Sequence, residues 1–157
     1  MNIRPARAAD VPDIVHLLSD DVLGSQREDD RSPLPQAYVD AFTAIDADPN
    51  QELMVIEGEG GEVIGTMQLS FIPYLTYRGG VRAQIEAVRI HKGQRGTGLG
   101  KAMFEWAIGR ANERGAHVVQ LTSDKQRPRA ISFYEQLGFK ASHEGMKLHL
   151  SSVDNER

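Results

Sequence analysis

Arg95-Gly96-Thr97-Gly98-Leu99-Gly100-Lys101 places three glycines at alternate positions directly ahead of a long helical pattern. Leu99, Met103, Trp106, Ala107 and Arg110 share one face of that helix, and Gly115 suits its C-cap. The run Val81 to Ile90 ahead of the loop reads as a strand. A glycine loop between a strand and a helix points to a mixed α/β architecture. Its backbone N–H groups, at the positive end of a helix dipole, suit an anion such as a pyrophosphate. A tight turn that merely needs positive φ is the plainer reading of the same residues. Spacing removes two familiar phosphate loops. A P-loop needs glycine where Arg95 stands and Ser or Thr where Ala102 stands. A dinucleotide fingerprint needs glycine at Lys101 and an early βαβ unit.

Around this loop the chain alternates helical and strand patterns. Asp10 is placed as an N-cap with Pro12 in the first turn, and Val11, Ile14, Val15 and Leu18 predict a helix over about 10–20. Residues 24–36 read as a polar loop, and a second helix is expected from Pro35 to Ala47, ending before Pro49. Leu53 to Ile56 and Val63 to Ile72 flank a glycine turn as a hairpin. His117 to Leu121 predicts a short strand, Arg129 to Leu137 a helix closed by Gly138, and Phe139 to Leu150 a final strand region. The order β-α-α-β-β-β-α-β-α-β describes one domain over residues 1–150, with a polar tail, 151–157, expected to fray.

Composition narrows the function classes. With 18 Lys and Arg against 22 Asp and Glu, the formal net charge is −4, so no general attraction to nucleic acid or anionic membrane is expected. The absence of cysteine excludes disulfides, thiolate metal sites and a cysteine nucleophile. No apolar run approaches the roughly 20 residues a membrane helix needs, and the first seven residues lack an apolar signal core. The expectation is a cytoplasmic domain with no metal. His143 and His149 fall on one face of the expected last strand, without the further ligands a metal site requires.

Arg95, Gly98 and Gly100 meet the signature Arg/Gln-x-x-Gly-x-Gly/Ala. Gln84-Ile85-Glu86-Ala87-Val88-Arg89-Ile90 precedes it, and Ala130-Ile131-Ser132-Phe133-Tyr134-Glu135-Gln136-Leu137-Gly138-Phe139 follows it. With these two segments in strand and helix context, the chain resembles the GNAT superfamily, the Gcn5-related N-acetyltransferases, over roughly residues 1–150. The resemblance implies an α/β (α+β) fold: a twisted, mostly antiparallel sheet of six to seven strands, helices on both faces, and a splayed central pair.

It also implies acetyl-CoA as co-substrate. The backbone of Val88, Arg89 and Ile90 is then expected to pair with the pantetheine arm, and the N–H groups of Arg95, Gly96, Thr97, Gly98, Leu99, Gly100 and Lys101 to hold the pyrophosphate. Tyr134 occupies the family position of the acid that protonates the departing thiolate, and packing of a helix is its plainer role. Glu86 is the candidate base, although alternating strands also place carboxylates on one face without chemistry. Arg127 stands where many members carry Asn. It is expected to reach a CoA phosphate, and a solvated helix start is the alternative.

The implied reaction is direct acetyl transfer to a primary amine of a small molecule. Acetylation of a protein lysine or N-terminus, and non-catalytic acyl-CoA binding, are the competing readings. The loop after the first helix carries Arg27, Glu28, Asp29, Asp30 and Arg31, with Asp20 and Asp21 just before it; carboxylates beside the cleft suggest a cationic amine, and a solvated mixed-charge loop is the alternative. The resemblance further implies a homodimer.

Overall fold

A computed structural model describes residues 1–150. Five strands form one sheet in the order β1-β2-β3-β4-β5, with β1 Asn2–Pro5, β2 Gln51–Glu57, β3 Val63–Pro73, β4 Val81–Ile90 and β5 Val118–Gln120. The first three pairings are antiparallel and β4–β5 is parallel. The helices are α1 Val11–Ser19, α2 Val22–Arg27, α3 Gln36–Ala47, a single turn α4 Thr76–Gly79, α5 Leu99–Glu113 and α6 Pro128–Gln136.

Alternation along β2 distributes the core between two faces. Met54 and Ile56 join Met67, Leu69, Phe71, Ile85, Met103 and Phe104 beneath α5. Leu53 and Val55 pack with Ile14, Leu18 and Phe42 of α1 and α3. Helices therefore cover both faces of a mixed, mostly antiparallel sheet.

Three expectations are corrected. The sheet has five strands among the described residues, not six to seven, because Phe139–Leu150 forms no strand. A strand needs a ladder partner and a covered apolar face. Met146, Leu148 and Leu150 instead stand 94%, 85% and 92% exposed, so His143 and His149 do not share a strand face either. The polar loop from residue 24 is replaced at its start by α2, whose N-cap Asp21 accepts the Gly24 N–H at 2.5 Å. Asp10 caps no α1 donor; its carboxylate accepts the Arg7 N–H at 2.7 Å and pairs with Arg4. The expected tail, 151–157, lies outside the described residues.

Helix α5 is clamped to β2 through Glu52. Its carboxylate receives Arg110 at 2.7 Å and Arg114 at 2.6 Å, and the Arg114 guanidinium lies 4.2 Å from the centre of the Phe71 ring. Burial pushes the Glu52 carboxyl up, but the two guanidiniums outweigh burial and hold it below its usual value. A depressed carboxylate contributes stability above its unfolded pKa that is lost as pH falls through the folded value. Glu52→Gln is accordingly expected to cost about 2 kcal/mol at pH 7. Urea unfolding should show the gap between wild type and variant closing as pH drops below the usual carboxylate range. A gap independent of pH would reject the clamp.

Candidate active site

Strands β4 and β5 pair only from Arg82 to Gln84 against Val118 to Gln120. Gln120 Nε2 donates to Gln84 Oε1 at 2.5 Å on the last rung. Beyond it β4 runs on to Ile90 without β5, which opens the expected splay.

In the open stretch β4 carries a bulge. Gln68 of β3 pairs with Glu86, and Thr66 pairs with Arg89, so the single residue Met67 of β3 lies opposite two of β4, Ala87 and Val88. Ala87 absorbs the extra residue at φ +52°, a left-handed conformation uncommon for alanine. In a regular strand Glu86 and Arg89 face opposite sides of the sheet. Here the bulge turns both to the face covered by α1 and α3. Thr66, Gln68 and Ala87 form the floor of a 160 Å³ apolar cavity on that face, walled by Ile14, Leu18 and Phe42.

The Arg89 side chain, only 14% exposed, enters a cluster drawn from four elements. Its Nη1 donates to the Val88 carbonyl at 2.9 Å, and Nη2 lies 4.0 Å from Asp21 Oδ2. Arg127, just before α6, donates to the same Asp21 oxygen at 2.5 Å. Arg27 and Glu28 at the end of α2 pair with each other at 2.7 Å, and the Tyr38 hydroxyl donates to Glu28. Burial, then the charge of Arg127, lowers the Arg89 pKa, with Asp21 acting the other way. Arg89 Nε is buried with no acceptor among the described residues. Arg82 Nε is also an orphan, but it lies roughly 20 Å up the strand, beneath Tyr74.

The residue patterns place Asp21 only among acidic groups near the cleft and Gly24 only in a polar loop, although an Asp three residues ahead of a glycine N–H is N-cap spacing. The acidic loop also reads differently once folded. Asp21 is held by Arg127, Glu28 by Arg27 and Tyr38, Asp29 by Arg31, and Asp30 by His16 and Ser19. Those carboxylates are already partnered within the chain rather than offered to a cationic ligand.

The glycine loop has the geometry of an anion cradle. Gly96 and Gly98 adopt φ +77° and +84°, and Thr97 Oγ1 ties the turn to the Gln94 carbonyl at 2.6 Å. The first bond of α5 runs from the Ala102 N–H to the Gly98 carbonyl, leaving the N–H groups of Gly96 to Lys101 without carbonyl acceptors. Gly100 lies close over Ile90, where an added Cβ would come within 3.1 Å of its Cδ1. These donors and the absence of side chains at Gly96, Gly98 and Gly100 fit a diphosphate.

Tyr134 sits half-buried on α6, edge-on to Phe104 with centroids 5.4 Å apart and beside Phe133 and Phe139. Burial raises its pKa, and the charges of Arg127 and Arg89 offset part of that rise. Its hydroxyl is therefore protonated at neutral pH. Glu86 is exposed on β4. Among the described residues, no three His, Asp or Glu side chains converge as metal ligands, and no helix is long and apolar enough to cross a membrane.

Comparison with known proteins agrees with this geometry. The model of the acetyltransferase (GNAT) family matches residues 19–139. A solved protein of Bacillus halodurans C-125, described as a transcriptional regulator, is 55% identical, with a TM-score of 0.91 over 95% of this chain and 99% of that one. An L-methionine sulfoximine/L-methionine sulfone acetyltransferase of Pseudomonas paraeruginosa is 28% identical over 90% of this chain and 81% of its own length. An aminoalkylphosphonate N-acetyltransferase of Salmonella typhimurium is 30% identical over 69% of each.

Proposed function

The chain belongs to the acetyltransferase (GNAT) family, and from that premise we propose that residues 1–150 form a single enzyme domain transferring the acetyl group of acetyl-CoA to a primary amine of a small molecule. The observation that carries this reading is the opening of β4 from β5 beside a glycine cradle of free N–H groups. An extended amide-bearing arm pairs along Val88, Arg89 and Ile90 like an added strand, with its diphosphate on the N–H groups from Arg95 to Lys101. The names of the two curated relatives support a small acceptor, since both denote small amines.

In the proposed reaction the neutral amine nitrogen attacks the acetyl carbonyl carbon. The C–N bond forms, the C–S bond breaks, and the sulfur leaves with the electron pair. The Tyr134 O–H supplies the proton that the thiolate takes up, and Glu86, directly or through water, receives the proton lost by the amine. The aromatic neighbours of Tyr134 keep its hydroxyl protonated until that step. Arg127, already bonded to Asp21, contributes charge at the splay; a CoA phosphate is a further partner in this proposal.

The test is free-thiol release from acetyl-CoA against a panel of amino acids, aminophosphonates, polyamines and lysine peptides. Acceptor-dependent turnover with a small amine is the expected outcome, and turnover with lysine peptides alone would reject the small-molecule reading. Tight acetyl-CoA binding with no acceptor dependence would reject catalysis.

The proposal places the enzyme in the cytoplasm as a homodimer. Exposed Met146, Leu148 and Leu150 support pairing, because three large apolar side chains within five residues need a cover. Light scattering is expected to give twice the chain mass, and Met146→Glu with Leu148→Glu should shift the protein to a monomer. A wild-type monomer at 50 µM would overturn the dimer.

A further inference from the structure

The bulge that turns Arg89 onto the acceptor face also brings a charge imbalance with it. Three guanidiniums, Arg27, Arg89 and Arg127, gather around two carboxylates, Asp21 and Glu28. Glu28 is satisfied by Arg27 and Tyr38, and Asp21 by Arg127 and the Gly24 N–H. Arg89 is the member left over. It stands 4.0 Å from the nearest carboxylate oxygen, beyond hydrogen-bond distance, and its buried Nε has no acceptor. A buried guanidinium with an orphan donor is costly unless an anion completes it. A planar fork of N–H donors matches a carboxylate or a phosphonate.

Position decides which anion. Arg89 pairs in register with Thr66, and Thr66 lies in the floor of the cavity between α1, α3 and the sheet. The glycine cradle opens instead at the start of α5, whose Met103 and Phe104 pack on the opposite face of the sheet. The Arg89 side chain thus faces the side of Glu86, away from the diphosphate donors. We infer that Arg89, supported by Arg127, is a specificity-determining residue that binds the acid group of the acceptor, so that the substrate class is a small amine bearing a carboxylate or phosphonate. This rests on the acetyltransferase reading above. An acid anchored at Arg89 holds the molecule on the face that carries Glu86, three residues back along β4.

The experiment compares matched acceptors differing only in the acid: methionine sulfone with 3-(methylsulfonyl)propylamine, and 2-aminoethylphosphonate with ethylamine. Wild type is expected to favour the acid-bearing member at least tenfold in kcat/KM. Arg89→Gln should reduce that preference at least tenfold, mostly through acceptor KM, and Arg89→Lys should keep part of it. Using the ratio removes any general loss of activity in the variants. Equal use of both members by wild type, or an unchanged ratio in Arg89→Gln, would overturn the inference.

Calorimetry, with and without saturating CoA, reads 2-aminoethylphosphonate binding independently of turnover. Binding that weakens at least tenfold in Arg89→Gln supports the site even for a chain that acetylates none of the four amines, and no binding to wild type overturns it. Acetyl-CoA binding is measured separately, so a failed enzyme reading and a failed anion site give different patterns.

Discussion

Tyr134→Phe is expected to lower kcat by about 10², close to 3 kcal/mol of barrier, while acetyl-CoA affinity changes by no more than a few-fold. The substitution removes one hydroxyl and leaves the ring in contact with Phe104, Phe133 and Phe139, so packing is retained. The pH profile separates an acid from a packing residue. Because burial raises the Tyr134 pKa against the opposing pull of Arg127 and Arg89, the proton stays on through the neutral range. Wild-type kcat should then decline only as pH climbs through values above the ordinary tyrosine pKa of about 10. The variant should lack that alkaline limb. An unchanged kcat in Tyr134→Phe at saturating acetyl-CoA and acceptor would assign proton delivery to another group.

Gly24→Ala should produce the largest loss of stability among single-methyl additions to the glycines on the α1–α3 face of the sheet. A Cβ at residue 24 would lie 1.9 Å from the Leu18 carbonyl oxygen and 2.8 Å from Asp21 Oδ1. The first of these is main chain, so no rotamer change relieves it and α2 must move away from α1. A cost of about 3 kcal/mol, or roughly 6–12 °C in Tm, is expected. Displacement of α2 also moves Asp21, which caps that helix and holds Arg127. Acceptor KM should therefore rise more than acetyl-CoA KM. A Tm within 1 °C of wild type would show that α2 does not pack against α1 as described.

The local elements were readable because each depends on neighbours in sequence. Apolar spacing set α1 and α5 to within a residue or two, Pro35 and Pro49 bracketed α3, and the glycine turn set the β2–β3 hairpin. The cradle at Gly96–Lys101 was equally legible, since glycine content, positive φ and a following helix are all local properties. The final strand was not. Whether residues 139–150 become a strand depends on a partner ladder, and alternation alone cannot supply one. In the single chain Met146, Leu148 and Leu150 stand in solvent.

The candidate site divides along the same line. Sequence by itself supplied the residue types that the proposed chemistry uses: a tyrosine on a late helix, a carboxylate on the strand before the loop, and a loop of N–H donors. It also carried the family resemblance. Only the tertiary structure decided how those groups face. The bulge at Ala87 has no mark in the sequence, because alanine does not favour positive φ, yet it reverses the side to which Arg89 points. Asp21 and Arg127, 106 positions apart, meet only after α2 and α6 converge on β4. Their pairing turns Asp21 from a carboxylate aimed at a cationic acceptor into one already partnered within the chain, with Arg89 left to meet an anion. Charge balance at a site is a sum over side chains brought together through space, and the order of residues along a chain does not contain that sum.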